Sequence, residues 1–321
     1  MTITPEQSTW FASMFTAMVE NVEQVVLGKR HVVELAFTAM ISEGHLLLED
    51  FPGTGKTSLA RAMSQTVQGV STRIQFTPDL LPGDVTGITV YDQKTGLFDF
   101  HSGPIFANVV LADEINRASP KTQSALLEAM EEGNVTVDGV TRSTGVPFLV
   151  IATQNPIEQA GTYRLPEAQL DRFMMKTSLG YPDLSSTIRI LEGTSVVRGE
   201  LSPVITPQAL AGMSDIARAV FVNPLVYDYI ARIVEATRSA TQVKMGVSVR
   251  GARSLIKASK TWAIAHGRTF VTPDDVKELA EVVLSHRLVL DPEAEFDGVT
   301  AQAVIGQVIL DIVPPARNEI E

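Results

Sequence analysis

Cysteine is absent from this chain of 321 residues, and its absence excludes several kinds of chemistry. Without thiols there is no disulfide, no thiolate metal site and no cysteine nucleophile. No apolar run approaches the roughly 18 residues of a membrane helix, so we expect no membrane insertion. The stretch from Met1 to Trp10 lacks a basic start followed by an apolar core, so no secretion signal is expected. These absences fit a reducing cytosol, and we expect a cytoplasmic protein.

Basic residues are few relative to acidic ones. The chain has 26 Lys and Arg against 37 Asp and Glu, which gives a formal net charge of −11. Proteins that wrap nucleic acid present a dense basic face, so we do not expect a nucleic-acid partner. The 5 histidines show no metal-ligand spacing and are interpreted as ordinary surface or core residues.

A glycine-rich turn is the most informative feature that the chain does contain. It spans residues 52–58, directly after the apolar run 46–48, and a helix is predicted to begin at Lys56. Backbone N–H groups of such a turn, together with the positive end of the helix, hold phosphates. Lys56 is expected to reach the β- and γ-phosphates, and the Thr57 hydroxyl to ligate Mg²⁺. The residues predicted to contact the nucleotide here are Gly53, Thr54, Gly55, Lys56, Thr57 and Ser58.

The turn departs from the strict phosphate-loop pattern at Asp50, where that pattern has glycine. Aspartate tolerates unusual backbone angles better than most residues, so the turn can still form. Its carboxylate must then point away from the phosphates. The alternative is a chance glycine turn before a core helix. The preceding strand and the following helix, with Leu59, Met63 and Val67 on one face, favour the phosphate loop.

Strands are predicted at residues 45–49, 73–76, 108–112, 148–153 and 176–179, and most of these segments are continuous apolar runs. Such runs are typical of strands that are covered on both faces, and helical segments separate several of them. The predicted fold class is therefore α/β, with a parallel five-stranded sheet flanked by helices. Helices are expected at residues 8–26 and 30–43, and another is capped by Ser119 and stopped by Gly133.

Two hairpins interrupt the sheet pattern. One lies within an insertion at residues 77–104, and the other, which turns at Asp138-Gly139, lies within residues 135–147. From residue 184 onward the periodicity is helical. We therefore expect an α/β core at residues 1–183 and an all-α domain at residues 184–321.

Two acidic clusters are interpreted as helix ends and not as metal sites. The segment from Thr272 to Asp275 has the pattern of a capping box with a proline in the first turn. The group Glu128, Glu131 and Glu132 is interpreted as a solvated helix end.

A second constellation follows the phosphate loop. The strand predicted at 108–112 leads into Asp113 and Glu114. Asp113 is expected to hold Mg²⁺ through its water shell, and Glu114 to polarise a water for attack on the γ-phosphate. Asn155 follows the next predicted strand, and its amide is a candidate to position that water, with ordinary loop polarity as the alternative. Together with the phosphate loop, these residues favour nucleotide hydrolysis over binding alone.

The succession of motifs resembles the AAA+ ATPases, and within them the MoxR family, from about residue 22 to residue 315. The segments that carry the resemblance are 73–82 (RIQFTPDLLP), 103–108 (GPIFAN), 112–118 (ADEINRA), 121–130 (KTQSALLEAM), 152–156 (ATQNP) and 165–173 (LPEAQLDRF). The resemblance implies an AAA+ core followed by a helical lid. Within that core, 77–104 is the helix-2 insert, 135–147 the pre-sensor-1 hairpin, and Asn155 the sensor-1 residue.

The resemblance also implies roles for residues outside the phosphate loop. Arg172 falls where the family supplies an arginine finger to the γ-phosphate held by a neighbouring subunit, and Arg164 is a weaker candidate for an interface arginine. Without the resemblance, Arg172 would be interpreted as a surface arginine in an ion pair. Arg250 falls on the sensor-2 position of the lid and would contact phosphate bound to the same chain. Gly28 belongs to the segment that resembles the lining of the adenine pocket.

The function implied by the resemblance is a chaperone-like ATPase that uses ATP and Mg²⁺. It would form a homo-oligomeric ring, expected to be a hexamer, and remodel or mature protein complexes, often with a protein that bears a von Willebrand factor A domain. The main alternative is a nucleic-acid-associated AAA+ motor, which the acidic balance disfavours. A small-molecule kinase and a non-hydrolysing scaffold also stay open.

Overall fold

The computed structural model describes residues 3–155, 163, 165–192 and 201–316. The strands in chain order are β1 (Leu46–Glu49), β2 (Ser71–Gln75), β3 (Gly87–Asp92), β4 (Leu97–Ser102), β5 (Val109–Asp113), β6 (Asn134–Val137), β7 (Val140–Ser143), β8 (Leu149–Gln154), β9 (Met175–Thr177), β10 (Val243–Met245) and β11 (Val289–Leu290). The α-helices are α1 (Pro5–Glu23), α2 (Arg30–Ile41), α3 (Lys56–Thr66), α4 (Pro82–Thr86), α5 (Pro120–Glu132), α6 (Glu167–Leu170), α7 (Leu184–Leu191), α8 (Pro207–Ala219), α9 (Pro224–Ser239), α10 (Val249–Ala265), α11 (Pro273–Leu284), α12 (Pro292–Phe296) and α13 (Ala301–Asp311).

A parallel sheet with the strand order β2-β5-β8-β1-β9 forms the centre of the fold and confirms the predicted α/β class. Its inner strands β1, β5 and β8 are covered on both faces. Leu46 and Leu48 belong to one apolar cluster, and Leu47, which points the opposite way, belongs to another. Because the strands are parallel, their carboxyl ends share one edge, and Asp113 and Asn155 lie there.

The helix boundaries follow the capping signals in the sequence. The Ser119 side chain accepts a hydrogen bond from the N–H of Thr122 at the start of α5, and Gly133 ends that helix with a φ of 66°. Thr272 and Asp275 form the predicted capping box at the start of α11. Both expectations about these helices are confirmed.

Both predicted hairpins are present, outside the central sheet. β3 pairs with β4, and β6 pairs with β7, each in antiparallel register. The two hairpins contact each other, since the guanidinium carbon of Arg142 lies 3.7 Å from the centre of the Phe100 ring. The insertions therefore form one joint surface beside the sheet.

The region after the sheet is largely helical, as expected, with one difference. Strands β10 and β11 pair with each other in a short antiparallel ladder. Strands of two or three residues are too short to leave a period-2 pattern in the sequence, which is why periodicity alone missed them.

The N-terminal helices pack against the C-terminal ones. Helix α1 contacts α10, and α2 contacts α8 and α10. A single apolar cluster includes Phe11 of α1, Leu46 of the sheet and Tyr229 of α9. The domain boundary predicted at residue 183 stays a prediction. Helix α1 precedes this boundary in the sequence, yet it shares the apolar cluster with helices after residue 200.

Across the described ranges, no helix combines the length and apolar character needed to cross a bilayer. Within the same ranges, no group of three or more His, Asp or Glu side chains gathers in a way that could hold a metal ion by itself. Any metal at the strand edge would therefore need ligands besides these side chains.

Candidate nucleotide site

The glycine-rich turn between β1 and α3 adopts a conformation that glycine permits. Gly53 has a φ of 84° and Gly55 a φ of 97°, which most other residues avoid. Gly55 is the N-cap residue just before α3, and it has no side chain to cap the helix. The N–H groups of the first helical turn therefore receive no capping side chain from this residue, as suits an anion site.

Two side chains shape the turn from inside. The Lys56 Nζ donates to the carbonyl oxygens of Asp50, at 3.3 Å, and Phe51, at 3.0 Å. The Thr54 hydroxyl donates to the same Phe51 carbonyl at 3.3 Å, and Thr54 is buried. The Thr54 hydroxyl thus stabilises the turn from inside, whereas the Lys56 ammonium lies on the open, solvent-accessible side of the turn.

The carboxylate of Asp50 points away from the turn, as expected. It is buried and accepts three hydrogen bonds, from the Ser178 Oγ at 2.8 Å, the Leu179 N–H at 2.7 Å and the Gly180 N–H at 2.8 Å. Hydrogen bonds to a carboxylate are stronger than neutral ones. Asp50 therefore joins the end of β1 to the segment after β9, where a glycine could not.

A cavity of about 360 Å³ opens between the turn and the carboxyl edge of the sheet. We call it the phosphate-loop cavity. The predicted site residues that line it are Gly53, Gly55, Lys56, Thr57, Asp113, Glu114 and Asn155. It is also lined by Asp50, Pro52, Arg73 and Thr153. Residues from the turn and from three neighbouring strand ends thus meet in one place.

Thr153 connects the two acidic residues and was not predicted as a site residue. Its buried hydroxyl donates to the Asp113 Oδ1 at 2.6 Å and accepts from the Glu114 N–H at 2.9 Å. The signal was available in principle, because Ala112 and Ala152 pair in the β5–β8 register and the next residues are neighbours too. A threonine beside Asp113 can hold its carboxylate in one orientation.

Arg73 is a second site residue that sequence reasoning missed. Its Nη2 lies 2.7 Å from the Asp113 Oδ2, and its Nε lies 3.2 Å from the same oxygen. The guanidinium balances the Asp113 charge inside the cavity. A charged residue in the middle of β2, an edge strand of the sheet, is the signal that could have identified it.

The donor set suits magnesium. The Thr57 hydroxyl and the Asp113 carboxylate line the same cavity, and hard oxygen ligands of this kind are those that Mg²⁺ prefers. Mg²⁺ commonly takes one or two protein ligands and completes its shell with phosphate oxygens and water. The absence of a larger acidic cluster in the described residues is therefore compatible with a nucleotide-bound ion.

Glu114 has an unusual backbone. Its φ of 56° is in the left-handed region, which is costly for a residue with a side chain and concentrates at functional sites. Its carboxylate pairs with the Arg117 guanidinium at 2.9 Å and is about one-quarter exposed. The strand end thus turns Glu114 toward the cavity while Arg117 holds its carboxylate.

Gly28, Thr54 and Ser58 are predicted nucleotide-contact residues that do not line the phosphate-loop cavity. Gly28 has a φ of 69°, and a Cβ placed there would lie 2.6 Å from the Ser186 Oγ near the start of α7. The glycine is needed for this close approach. Its expected contact with adenine stays a prediction. Ser58 is exposed on α3.

Arg172 and Arg250 lie together in a different place. Both pair with Glu131 near the end of α5, Arg172 through its Nε at 3.1 Å and Arg250 through its Nη2. They line a cleft of about 530 Å³ between α5, the segment 171–174 and α10, which we call the arginine cleft. Arg164 lies outside the described residues.

This arrangement bears on two expectations. Glu131 lies exposed at the end of α5, as expected, and it also pairs with two arginines. Arg250, expected beside phosphate bound to its own chain, lines the arginine cleft and not the phosphate-loop cavity, and its contact with phosphate stays a prediction. Arg250 lies in the cleft because the capping residue of α10, Ser248, hydrogen-bonds Asp171 at 3.1 Å and so brings Arg250 next to Arg172.

Both the sheet-containing region and the C-terminal helical region of this chain match known protein families. A model of the ATPase family associated with various cellular activities (AAA) matches residues 45–175, and an AAA lid domain model matches residues 235–308. Chaperone MoxR1 of Mycobacterium tuberculosis is 40% identical over 94% of this chain and 82% of its own. Protein MoxR of Paracoccus denitrificans is 30% identical over 84% of this chain and 87% of its own. This chain belongs to the MoxR family of AAA+ ATPases.

Further relatives match this chain over nearly its whole length. The crystal structure of a candidate ATPase from Cytophaga hutchinsonii matches with a TM-score of 0.91 and 36% identity over 97% of this chain and 98% of that one. A protein named YeaC from Bacillus subtilis is 46% identical over 94% of both chains. The MoxR family assignment supports ATPase activity in general and implies nucleotide binding.

Proposed function

We propose that this MoxR-family protein hydrolyses ATP to ADP and phosphate as a chaperone-like ATPase that works as a ring, a hexamer of identical subunits. The observation that carries the proposal is the convergence of the turn, Lys56, Thr57, Asp113 and Glu114 on one cavity. Each of these groups suits one part of phosphoryl transfer to water, and the two acidic residues are held by fixed neighbours.

The residues of the cavity have separate roles in binding and hydrolysis. The turn and Lys56 bind the phosphates, while Thr57 and Asp113 hold Mg²⁺, which supplies charge neutralisation for the phosphate oxygens. Glu114 orients the attacking water and receives its proton. Asn155, at the end of the adjacent strand, positions the same water.

A neighbouring subunit completes the site. Arg172 stabilises the charge that develops on the γ-phosphoryl group bound by the next subunit, and Arg250 acts beside it because both line the arginine cleft. In the single chain, Glu131 holds both guanidinium groups in the position that a phosphate takes on assembly. Hydrolysis therefore depends on the ring.

The cellular role and the partners in this proposal are inferred from the family. The chaperone name of the Mycobacterium relative supports a role in remodelling protein complexes, with a client protein and a von Willebrand factor A domain protein as partners. The core at residues 1–183 and the lid at residues 184–321 move against each other during the cycle. We place this activity in the cytoplasm, without a nucleic-acid partner, in keeping with the net charge of −11.

Mixed assemblies test the proposal. Arg172→Ala and Glu114→Gln proteins are purified separately, and phosphate release from Mg·ATP is measured for each and for mixtures. Each variant alone should lose activity by about 10² or more. Mixtures should recover activity, because some sites combine an intact Glu114 with an intact Arg172 from the neighbour.

Controls separate this result from its alternatives. Arg232→Ala, which removes an exposed arginine paired with Asp228 on α9, should leave activity unchanged. Mixtures as inactive as the separate variants would show that Arg172 does not act between subunits. A phosphorylated small molecule in place of free phosphate would indicate a kinase. Capture of a client by Glu114→Gln with ATP tests the remodelling role.

A further inference from the structure

Arg287 is a buried arginine that lies far from the phosphate-loop cavity in sequence. It ends the short turn Ser285–Arg287 after α11, and its side chain is 1% exposed. A guanidinium excluded from water is costly unless it is paired and fully hydrogen-bonded. Its contacts therefore identify what the residue holds in place.

The guanidinium reaches across to the segment that carries Arg172. Its Nη1 donates to the Asp171 carbonyl at 2.8 Å and pairs with the Asp171 carboxylate. Its Nη2 donates to the Phe173 carbonyl at 2.6 Å. The residues on both sides of Arg172 are thus bound to one side chain of the C-terminal region.

The same guanidinium also holds α10. Its Nη2 lies 3.3 Å from the Ser254 Oγ on that helix. Helix α10 approaches so closely at Gly251 that a Cβ there would lie 2.9 Å from the Arg287 Cδ. Asp171 extends the connection, because it accepts a hydrogen bond from Ser248, which caps the helix.

The neighbouring residue adds to this junction. The His286 Nε2 lies 3.1 Å from the same Phe173 carbonyl. Burial lowers the pKa of Arg287, and the Asp171 carboxylate acts in the opposite direction, as expected for a guanidinium that stays charged by pairing. The segment 171–174 and the start of α10 therefore meet on one fixed group.

We infer that Arg287 is a positioning residue that sets Arg172 and Arg250 as a pair toward the neighbouring subunit's phosphates. The inference rests on the proposed function. Arg172 belongs to the segment that Arg287 binds, and Arg250 lies in the first turn of the helix that Arg287 packs against. A movement of the C-terminal helices displaces both arginines together, so nucleotide-driven lid motion reaches the interface through this contact.

The test uses Arg287→Met, which keeps most of the apolar stem and removes the hydrogen bonds. Affinity for a fluorescent ATP analogue should stay within about twofold of the wild type, since the phosphate-loop cavity is untouched. The kcat for phosphate release should fall by about 10-fold or more, because small misplacements of a catalytic group are costly. Mixing with Glu114→Gln should restore activity, since that variant supplies a correctly held Arg172.

A matched control is the pair of Arg268 and Asp275. Arg268 is also a C-terminal arginine bound to a buried aspartate, but its ion pair with Asp275 lies within its own region. Arg268→Met should therefore leave kcat near the wild-type value. Arg287→Lys keeps the charge with fewer donors and should give an intermediate kcat, which keeps the test valid if Arg287→Met does not fold.

Each outcome has a distinct meaning. Wild-type kcat in both folded Arg287 variants overturns the inference, and so does lost kcat without rescue by Glu114→Gln. The proposed function is judged separately, by Arg172→Ala. Full activity in Arg172→Ala would contradict the proposed action of Arg172 between subunits. Rescue of Arg172→Ala without rescue of Arg287→Met would contradict only the positioning role of Arg287.

Discussion

The phosphate-loop cavity and the arginine cleft are built in opposite ways. Around the cavity, the charged groups have fixed partners nearby. Asp50 accepts a hydrogen bond from the segment after β9, and Asp113 contacts Thr153 and Arg73. In the cleft, Arg172 and Arg250 come from different parts of the chain and share the half-exposed Glu131. The charged groups of the cavity are thus held by partners within one chain, whereas the proposed function assigns the arginines of the cleft to a neighbouring subunit.

This difference has a physical origin. Carboxyl ends of neighbouring parallel strands must lie at one edge, so the cavity follows directly from the sheet. The cleft depends on how α10 and the segment 171–174 dock, which rests on Arg287 and Asp171. A variant in the cavity should therefore act on nucleotide binding or chemistry within the chain, and a variant in the cleft should act through assembly.

The largest effect is expected for Lys56→Ala in the cavity. Removal of the ammonium takes away a charge-assisted contact to the phosphates, and affinity for a fluorescent ATP analogue should fall by about 100-fold or more. Arg172→Ala in the cleft should bind the analogue as the wild type does. Titration with Mg²⁺ present measures both, and equal losses in the two variants would break the distinction between the regions.

Glu114→Gln should separate binding from chemistry within the cavity. Glutamine keeps the size of the side chain but cannot take the proton of the attacking water, so turnover should fall by about 10² or more. Nucleotide affinity should be retained, because Lys56 and the turn are unchanged. Steady-state phosphate release measures the turnover, and titration with the fluorescent ATP analogue measures the affinity. Near-normal turnover would show that Glu114 is not the general base.

Stability should distinguish the two regions as well. Asp50→Ala leaves the N–H groups of Leu179 and Gly180 without their acceptor and should lower the free energy of unfolding by about 3 kcal/mol. Glu131→Ala removes partly exposed ion pairs, which are worth about 1 kcal/mol or less. Urea unfolding of both variants measures the difference, and similar losses would contradict it.

The smallest effect is a pH dependence that comes from His45, which lines the arginine cleft. The Val150 N–H donates to its Nδ1 and its Nε2 faces the Met130 carbonyl, so the ring must be neutral. Burial lowers the pKa of His45 from 6.5 to about 4. The unfolded chain therefore binds the proton first, and stability should fall as the pH drops from about 6.5 toward 4.

The slope from His45 is at most about 1.4 kcal/mol per pH unit. Urea unfolding between pH 7.5 and pH 5 measures it, and His45→Gln should make the curve flatter. Some slope should remain, because burial and the Arg287 charge also lower the pKa of His286. An unchanged slope in His45→Gln would show that the ring is not the titrating group.

Much of the fold could be predicted because its signals are local. Apolar runs marked the inner strands β1, β5 and β8 of the central sheet, and Ser119, Gly133 and Thr272 marked helix ends. The short pair β10–β11 left no such signal. Prediction was also possible for the cavity, because a phosphate loop and residues at strand ends must meet at one edge of a parallel sheet.

The sequence by itself determined the α/β core, the phosphate loop and the meeting of Asp113, Glu114 and Asn155, since periodicity and strand direction suffice for these. Only the tertiary structure decided that Thr153 and Arg73 hold Asp113, that Arg250 lies beside Arg172, and that Arg287 joins them. These contacts link side chains on separate elements. They depend on how helices and strands pack, and packing is set by the whole apolar core and not by any local pattern.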